Sequence, residues 1–110
     1  MIRFRIFKTE TYDEDYEKLD HSEQLIVDNI IEALFNSGDI TGKPLGFPFF
    51  REKKFGSKRV LYLVYKLLSV ILLVAITDKK AQQATINEIL LHLDEYKKYV
   101  IERLKEVTSS

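Results

Sequence analysis

Residues 2–8 alternate, with Ile2, Phe4 and Ile6 on one side and Arg3 and Arg5 on the other. A period of two predicts a strand with one covered face, ending near Thr9. Thr11-Tyr12-Asp13-Glu14 has the spacing of a capping box, and Tyr12, Tyr16 and Leu19 follow it at helical spacing, which predicts a short first helix. A second box, Asp20-His21-Ser22-Glu23, opens a stripe of Leu25, Ile26, Ile30, Ala33 and Leu34 that stops before Gly38. The two helices form a hairpin. Glycine and proline concentrate from Gly38 to Pro48, so this segment reads as the main loop, and Phe49 to Phe55 as a second strand. Lys58 to Tyr65 and Val70 to Thr77 are too apolar to keep one face in water and read as central strands, with Lys66 to Ser69 as their turn. From Lys80 or Ala81 to Glu106 there is neither proline nor glycine, and Ile86, Ile89, Leu90, Leu93, Tyr96, Val100 and Leu104 keep a helical stripe. One amphipathic helix of roughly 35–40 Å is expected there, at about 1.5 Å per residue. The order β-α-α-β-β-β-α predicts an α+β fold, a small and mostly antiparallel four-stranded sheet with an N-terminal helical hairpin and a long C-terminal helix.

Composition narrows this picture. The 110 residues suit one domain, 1–110, and 45% hydrophobic residues are enough to bury a core. Lys+Arg and Asp+Glu both number 17, so no global field draws in nucleic acid and any basic site must be local. The absence of cysteine excludes disulfides and thiolate metal sites. His21 and His92 lie far apart and outside any metal-ligand spacing, so neither a metal nor another cofactor is expected. The N-terminal alternation lacks the uninterrupted apolar core of a signal peptide, and Lys66 breaks the run from Val60 to Ile76 short of a membrane span. No export, no membrane and a cytoplasmic location are expected.

Candidate chemistry concentrates between Lys43 and Lys80. Lys43-Pro44-Leu45-Gly46 precedes Arg51, Lys53 and Lys54; Arg59-Val60-Leu61-Tyr62 opens a buried strand; and Thr77-Asp78-Lys79-Lys80 ends the next one. Strands arranged this way can gather several cations at one rim of a sheet, where a phosphate can sit. Alternation puts Arg51 and Lys53 on one face of their strand and Lys54 on the other. Blander readings stand beside this one. Arg59 could pair with a carboxylate such as Glu52, Lys79 and Lys80 could be a solvated turn, and Lys43-Pro44-Leu45-Gly46 is turn chemistry whatever its function.

The element order, Leu19 before a helix ending in Ala33-Leu34, the Lys43-Pro44-Leu45-Gly46 turn, Arg51, Arg59-Val60-Leu61-Tyr62 and Lys79-Lys80-Ala81-Gln82-Gln83 together resemble the RelE/ParE/HigB superfamily of toxin–antitoxin proteins, closest to its RelE/HigB-like branch. The resemblance covers residues 2–95. It implies a toxin that enters the ribosomal A site and cleaves mRNA without a metal, as an endoribonuclease held inactive by a cognate antitoxin. In that chemistry a ribose 2′-hydroxyl attacks the adjacent phosphodiester, and arginine suits the developing charge because its planar fork donates two hydrogen bonds and stays ionised. Carried over by position, Arg51, Lys53, Arg59 and Lys79 become the catalytic candidates, and Lys54, Lys58 and Lys80 candidates for RNA binding. Thr85 stands where RelE carries a tyrosine, and no residue offers itself as the proton acceptor.

Two other classes stay open. One is a non-catalytic module on the same fold, either a degenerate toxin or a ParE-like protein aimed at gyrase. The other is an unrelated α+β homodimer, joined through the C-terminal helix. That helix's stripe either folds back on its own sheet or faces a second chain.

Overall fold

The computed structural model describes residues 3–37 and 42–109. Apolar alternation builds β1 (Arg5–Lys8), and two helices follow, α1 (Glu10–Glu17) and α2 (His21–Ser37). The α1 cap is Thr9, two residues ahead of the predicted Thr11. Its hydroxyl accepts from the Tyr12 amide at 3.0 Å and donates to the Val74 carbonyl at 2.7 Å, so a contact with the sheet decides where the helix starts. At α2 the expected box forms: the Glu23 amide donates to Asp20 Oδ1 at 2.8 Å, and the Asp20 amide to Glu23 Oε1 at 3.1 Å. The predicted stop at Gly38 lies outside the described residues.

Three antiparallel strands form the centre of the sheet: β3 (Phe50–Phe55), β4 (Lys58–Tyr65) and β5 (Val70–Asp78). A 3-10 turn over Lys66–Leu68 and a left-handed Ser69 join β4 to β5. The sheet has five strands, one more than expected. Lys43–Phe47, read as loop because of Pro44 and Gly46, is a fifth strand, β2, at the sheet edge. An edge position tolerates both residues, since a missing donor or a bulge costs little where no second neighbour needs pairing. The order is β1-β5-β4-β3-β2, with β1 parallel to β5 and every other pair antiparallel.

The C-terminal segment also departs from expectation. It is two helices, α3 (Gln82–Leu91) and α4 (Leu93–Thr108), broken at His92, whose φ of −121° and ψ of 24° leave the helical region. A straight rod of this length would carry one end of its stripe off the sheet. The bend lets Ile89 of α3 and Val100 of α4 both bury fully against Phe50, Leu61 and Leu72. The stripe therefore folds back on the chain's own sheet. On the other face α1 and α2 bury Tyr12, Val27 and Leu34 against Val60, Tyr62 and Leu73. With helices on both sides, β4 and β5 have no wet face, which is why their sequences run apolar without alternation. Each large aliphatic side chain so buried contributes about 1.5–3 kcal/mol, and truncating Ile89 to alanine would cost about 2–5 kcal/mol.

β1 is shorter than β5, so the edge of β5 beyond Leu73 has no strand beside it. The segment leading into α1 and α1 itself take over the pairing. The Thr9 amide donates to the Leu73 carbonyl at 3.1 Å, and the Ile76 amide donates to Asp15 Oδ2 at 2.9 Å. A bulge at Val74 opposite the Leu61–Tyr62 step shifts the register here, so that Ala75 and Thr77 turn toward α3 and α4. No helix among the described residues is long and apolar enough to cross a membrane.

Candidate functional site

The register of β3, β4 and β5 decides which cations can meet. Lys54 stands opposite Arg59, and Arg59 opposite Thr77. Cross-strand partners share a face. Arg59, Lys54 and Thr77 therefore lie on the α3 side, together with Glu52, which is two residues from Lys54. Arg51 and Lys53 face the helical hairpin instead, opposite Tyr62 and Val60. The expectation that Arg51 and Lys53 share a face is met, but it is the face away from Arg59. Lys54, expected to point away, is the lysine that joins Arg59.

At this end of the sheet a cleft of about 400 Å³ is lined by Gly42, Lys43, Glu52, Lys53, Lys54 and Arg59. Lys53 borders it from the strand, while its position in the alternation belongs to the other face. Arg59 is 8% exposed and Glu52 7%. Burying two charges this deeply is tolerable only as a pair. The pairing is incomplete: Arg59 Nε lies 3.4 Å from Glu52 Oε2, and Nη1 of the same fork is buried with no hydrogen-bond partner among the described residues. The same Oε2 accepts from Gln82 Nε2, at the first turn of α3, at 2.6 Å. Thr85 Oγ1, one turn on, lies 3.5 Å from Thr77 Oγ1 and donates to the Ala81 carbonyl at 3.0 Å.

The other candidates sit as follows. Arg51 donates from Nε to the Pro48 carbonyl at 2.8 Å and from Nη1 to the Gly42 carbonyl at 2.6 Å, so its guanidinium ties down both ends of β2. Lys58 is ion-paired to Glu23 of α2 at 3.0 Å. Lys79 and Lys80 are exposed in the turn between β5 and α3, where the Asp78 carboxylate accepts from the Ala81 amide at 2.8 Å. Because Lys58 stands opposite Asp78, that turn lies at the same end of the sheet as the cleft. The structure thus brings Arg59, Lys53 and Lys54 to one cleft and Lys79 and Lys80 to the same rim. It leaves Arg51 and Lys58 engaged elsewhere.

Two residues of this site, Glu52 and Gln82, were not among the predicted set. The signal for Glu52 is its position: in Phe50-Arg51-Glu52-Lys53-Lys54 it shares the buried face with Phe50, where an unpaired carboxylate would be costly. Gln82 carries no such signal, because its contact depends on how α3 is seated. No group of three histidine, aspartate or glutamate side chains among the described residues could hold a metal ion.

Solved structures share this fold. The chain superposes on a chain of the intact Escherichia coli RelBE toxin–antitoxin complex with a TM-score of 0.61 at 18% identity, over 68% of this chain and 95% of that one. It matches E. coli RelE with two arginines replaced, in the free state, with a TM-score of 0.64 at 18% identity, over 74% of this chain and 88% of that one. The chain has the RelE toxin fold. A third match, to the RelB–RelE antitoxin–toxin complex of Methanococcus jannaschii, has a TM-score of 0.60 at 15% identity and covers 72% of this chain and 96% of that one. The RelE fold is thus recognised here through shape. No protein-family profile matches the sequence, and no curated protein does.

Proposed function

We propose that this protein is the toxin of a toxin–antitoxin pair, a ribosome-dependent mRNA endoribonuclease that works without a metal and is restrained in the cytoplasm by an antitoxin protein. The observation that carries the reading is the buried Arg59–Glu52 pair at the bottom of a lysine-rimmed cleft, on a fold whose solved examples include RelE toxins bound to antitoxins. The Lys-Pro-Leu-Gly and Lys-Lys-x-x-Gln segments favour a HigB-like member.

Each part of the chemistry has a residue to serve it. Arg59, which lines the cleft, offers its guanidinium to a non-bridging phosphate oxygen, and Lys54 beside it offers an ammonium; both stabilise charge that grows on the phosphorane. Glu52 supplies the proton acceptor missing from the sequence reading. Its carboxylate takes the 2′-hydroxyl proton as the 2′-oxygen bonds to phosphorus and the bond to the 5′-oxygen breaks. The departing 5′-oxygen takes a proton from a lysine of the rim, leaving a 2′,3′-cyclic phosphate and a 5′-hydroxyl. Lys79 and Lys80 hold the flanking backbone.

The test is a cell-free translation reaction with the 5′ ends of the message mapped after addition of the protein. Discrete cuts by the wild type, and none by a folded Arg59→Ala variant, are expected. Intact message with unimpaired protein synthesis would overturn the reading, and inhibition of gyrase supercoiling in the same preparation would replace it with the ParE-like one.

A further inference from the structure

We propose that Gln82 is the positioning residue of the cleft, and that it acts by keeping the Arg59–Glu52 pair from closing on itself. The proposal rests on the nuclease reading for its consequence, though not for its geometry. An arginine and a carboxylate left alone prefer a two-pronged contact, with two parallel hydrogen bonds from the fork. Here the contact is long: the nearest approach of the fork to the carboxylate is from Nε, at 3.4 Å, while Nη1 stays buried and unpartnered among the described residues.

Gln82 explains the difference. Its amide donates to Glu52 Oε2 at 2.6 Å, shorter than the contact from Arg59 to the same atom. The terminal torsion of a glutamate is broad and nearly two-fold, so without a pin the two oxygens exchange freely and can swing onto the fork. With Oε2 pinned, Oε1 accepts no hydrogen bond from a described residue, and the Arg59 fork is not locked onto the carboxylate. Those are the two groups the proposed reaction needs, one for the hydroxyl proton and one for the phosphate. The pin is itself anchored: Asp78 Oδ1 accepts from the Ala81 amide at 2.8 Å, and the Thr85 amide donates to the Ala81 carbonyl at 3.0 Å, which fixes where α3 begins and hence where Gln82 stands.

Removing the pin should therefore complete the ion pair while the catalytic groups stay in place. In Gln82→Leu the fork and the carboxylate close two-pronged, and both leave the substrate. The experiment reads the guanidinium of Arg59 directly, by nitrogen-15 NMR of the arginine side chain. Rotation about its terminal bonds is expected to be free in the wild type and locked in Gln82→Leu. With a labelled RNA oligonucleotide as probe, affinity should fall about tenfold, the worth of one charge-assisted hydrogen bond. Message cleavage should fall by at least as much. Gln83→Leu, one residue along and bonded only to Asn87, should change none of these. Unchanged Arg59 signals in Gln82→Leu would overturn the proposal whatever the activity. Changed signals in a protein that cuts no message would uphold the positioning role and sink the nuclease reading alone.

Discussion

Replacing Glu52 by glutamine separates gripping from cutting. The substitution keeps the size and one acceptor oxygen for Gln82 and Arg59, but it leaves the Arg59 guanidinium a buried charge without its counter-charge, so the cost in stability should be about 3–5 kcal/mol and the assays use a variant shown to be folded. What changes is the charge. Glu52 Oε2 lies 3.4 Å from Arg59 Nε, so a phosphate on the other side of the fork would be roughly 6 Å from the carboxylate. Two like charges at that distance repel by about 2.8 kcal/mol at an effective dielectric of about 20, and by about half that at a dielectric of about 40. Glu52→Gln should therefore bind a non-cleavable RNA oligonucleotide about 10–100-fold more tightly in a fluorescence anisotropy titration at low salt. If Glu52 is the proton acceptor, the same variant should cut message about 10²–10⁴-fold more slowly. Tighter binding with lost cleavage is the outcome expected. Wild-type cleavage by Glu52→Gln would refute the catalytic assignment, and affinity no better than the wild type would refute the electrostatic one.

Two further outcomes follow from the packing. A Cβ at Gly42 would run into the Tyr62 hydroxyl and come within 2.6 Å of the Glu52 carbonyl, so Gly42→Ala should lower the melting temperature and weaken oligonucleotide binding together; a variant as stable as the wild type would show that this approach is not close. The Tyr12 hydroxyl is buried with no hydrogen-bond partner among the described residues, so Tyr12→Phe should be neutral or stabilising by up to about 1 kcal/mol in urea denaturation. Burial, with Tyr16 and Asp28 nearby, pushes the phenol of Tyr12 up from its usual range, so the folded state holds this proton more tightly than the unfolded chain. Its contribution is intact below about pH 10 and lost as pH rises beyond, and Tyr12→Phe should shrink that alkaline loss; equal pH profiles would count against it.

The parts of the fold that were legible in the sequence are those whose pattern has one physical cause. β4 and β5 read to within a residue because only a strand covered on both faces runs apolar for so long. α2 read as a helix because its box forms, but the predicted stripe was misplaced: Val27 and Leu34 are buried, whereas Leu25 and Ile26 are about half exposed. β2 was hidden, since proline and glycine signal loops wherever edge position is unknown. The break at His92 was hidden too, because no proline or glycine marks it and the cause lies in the surface the helix must follow. The site divides in the same way. Arg59 stood out through its place in a recognisable order of motifs, whereas the choice between Lys54 and Arg51 as its companion depended on a register that alternation within one strand cannot supply. Glu52 was visible only as a rival explanation for Arg59.

The pairing of β1 with β5 has a consequence for synthesis. Thr9 reaches Val74 across 65 positions, so the β1 segment has no neighbour to zip against until about two-thirds of these 110 residues exist. Closing so large a loop carries a heavy entropic cost and makes this seam a late event. The β3–β4–β5 meander that supports Arg59 is contiguous and can assemble first. A cell making this protein would thus hold a chain whose cleft is shaped before its sheet is sealed, with the bare flank of β5 open to whatever strand arrives first.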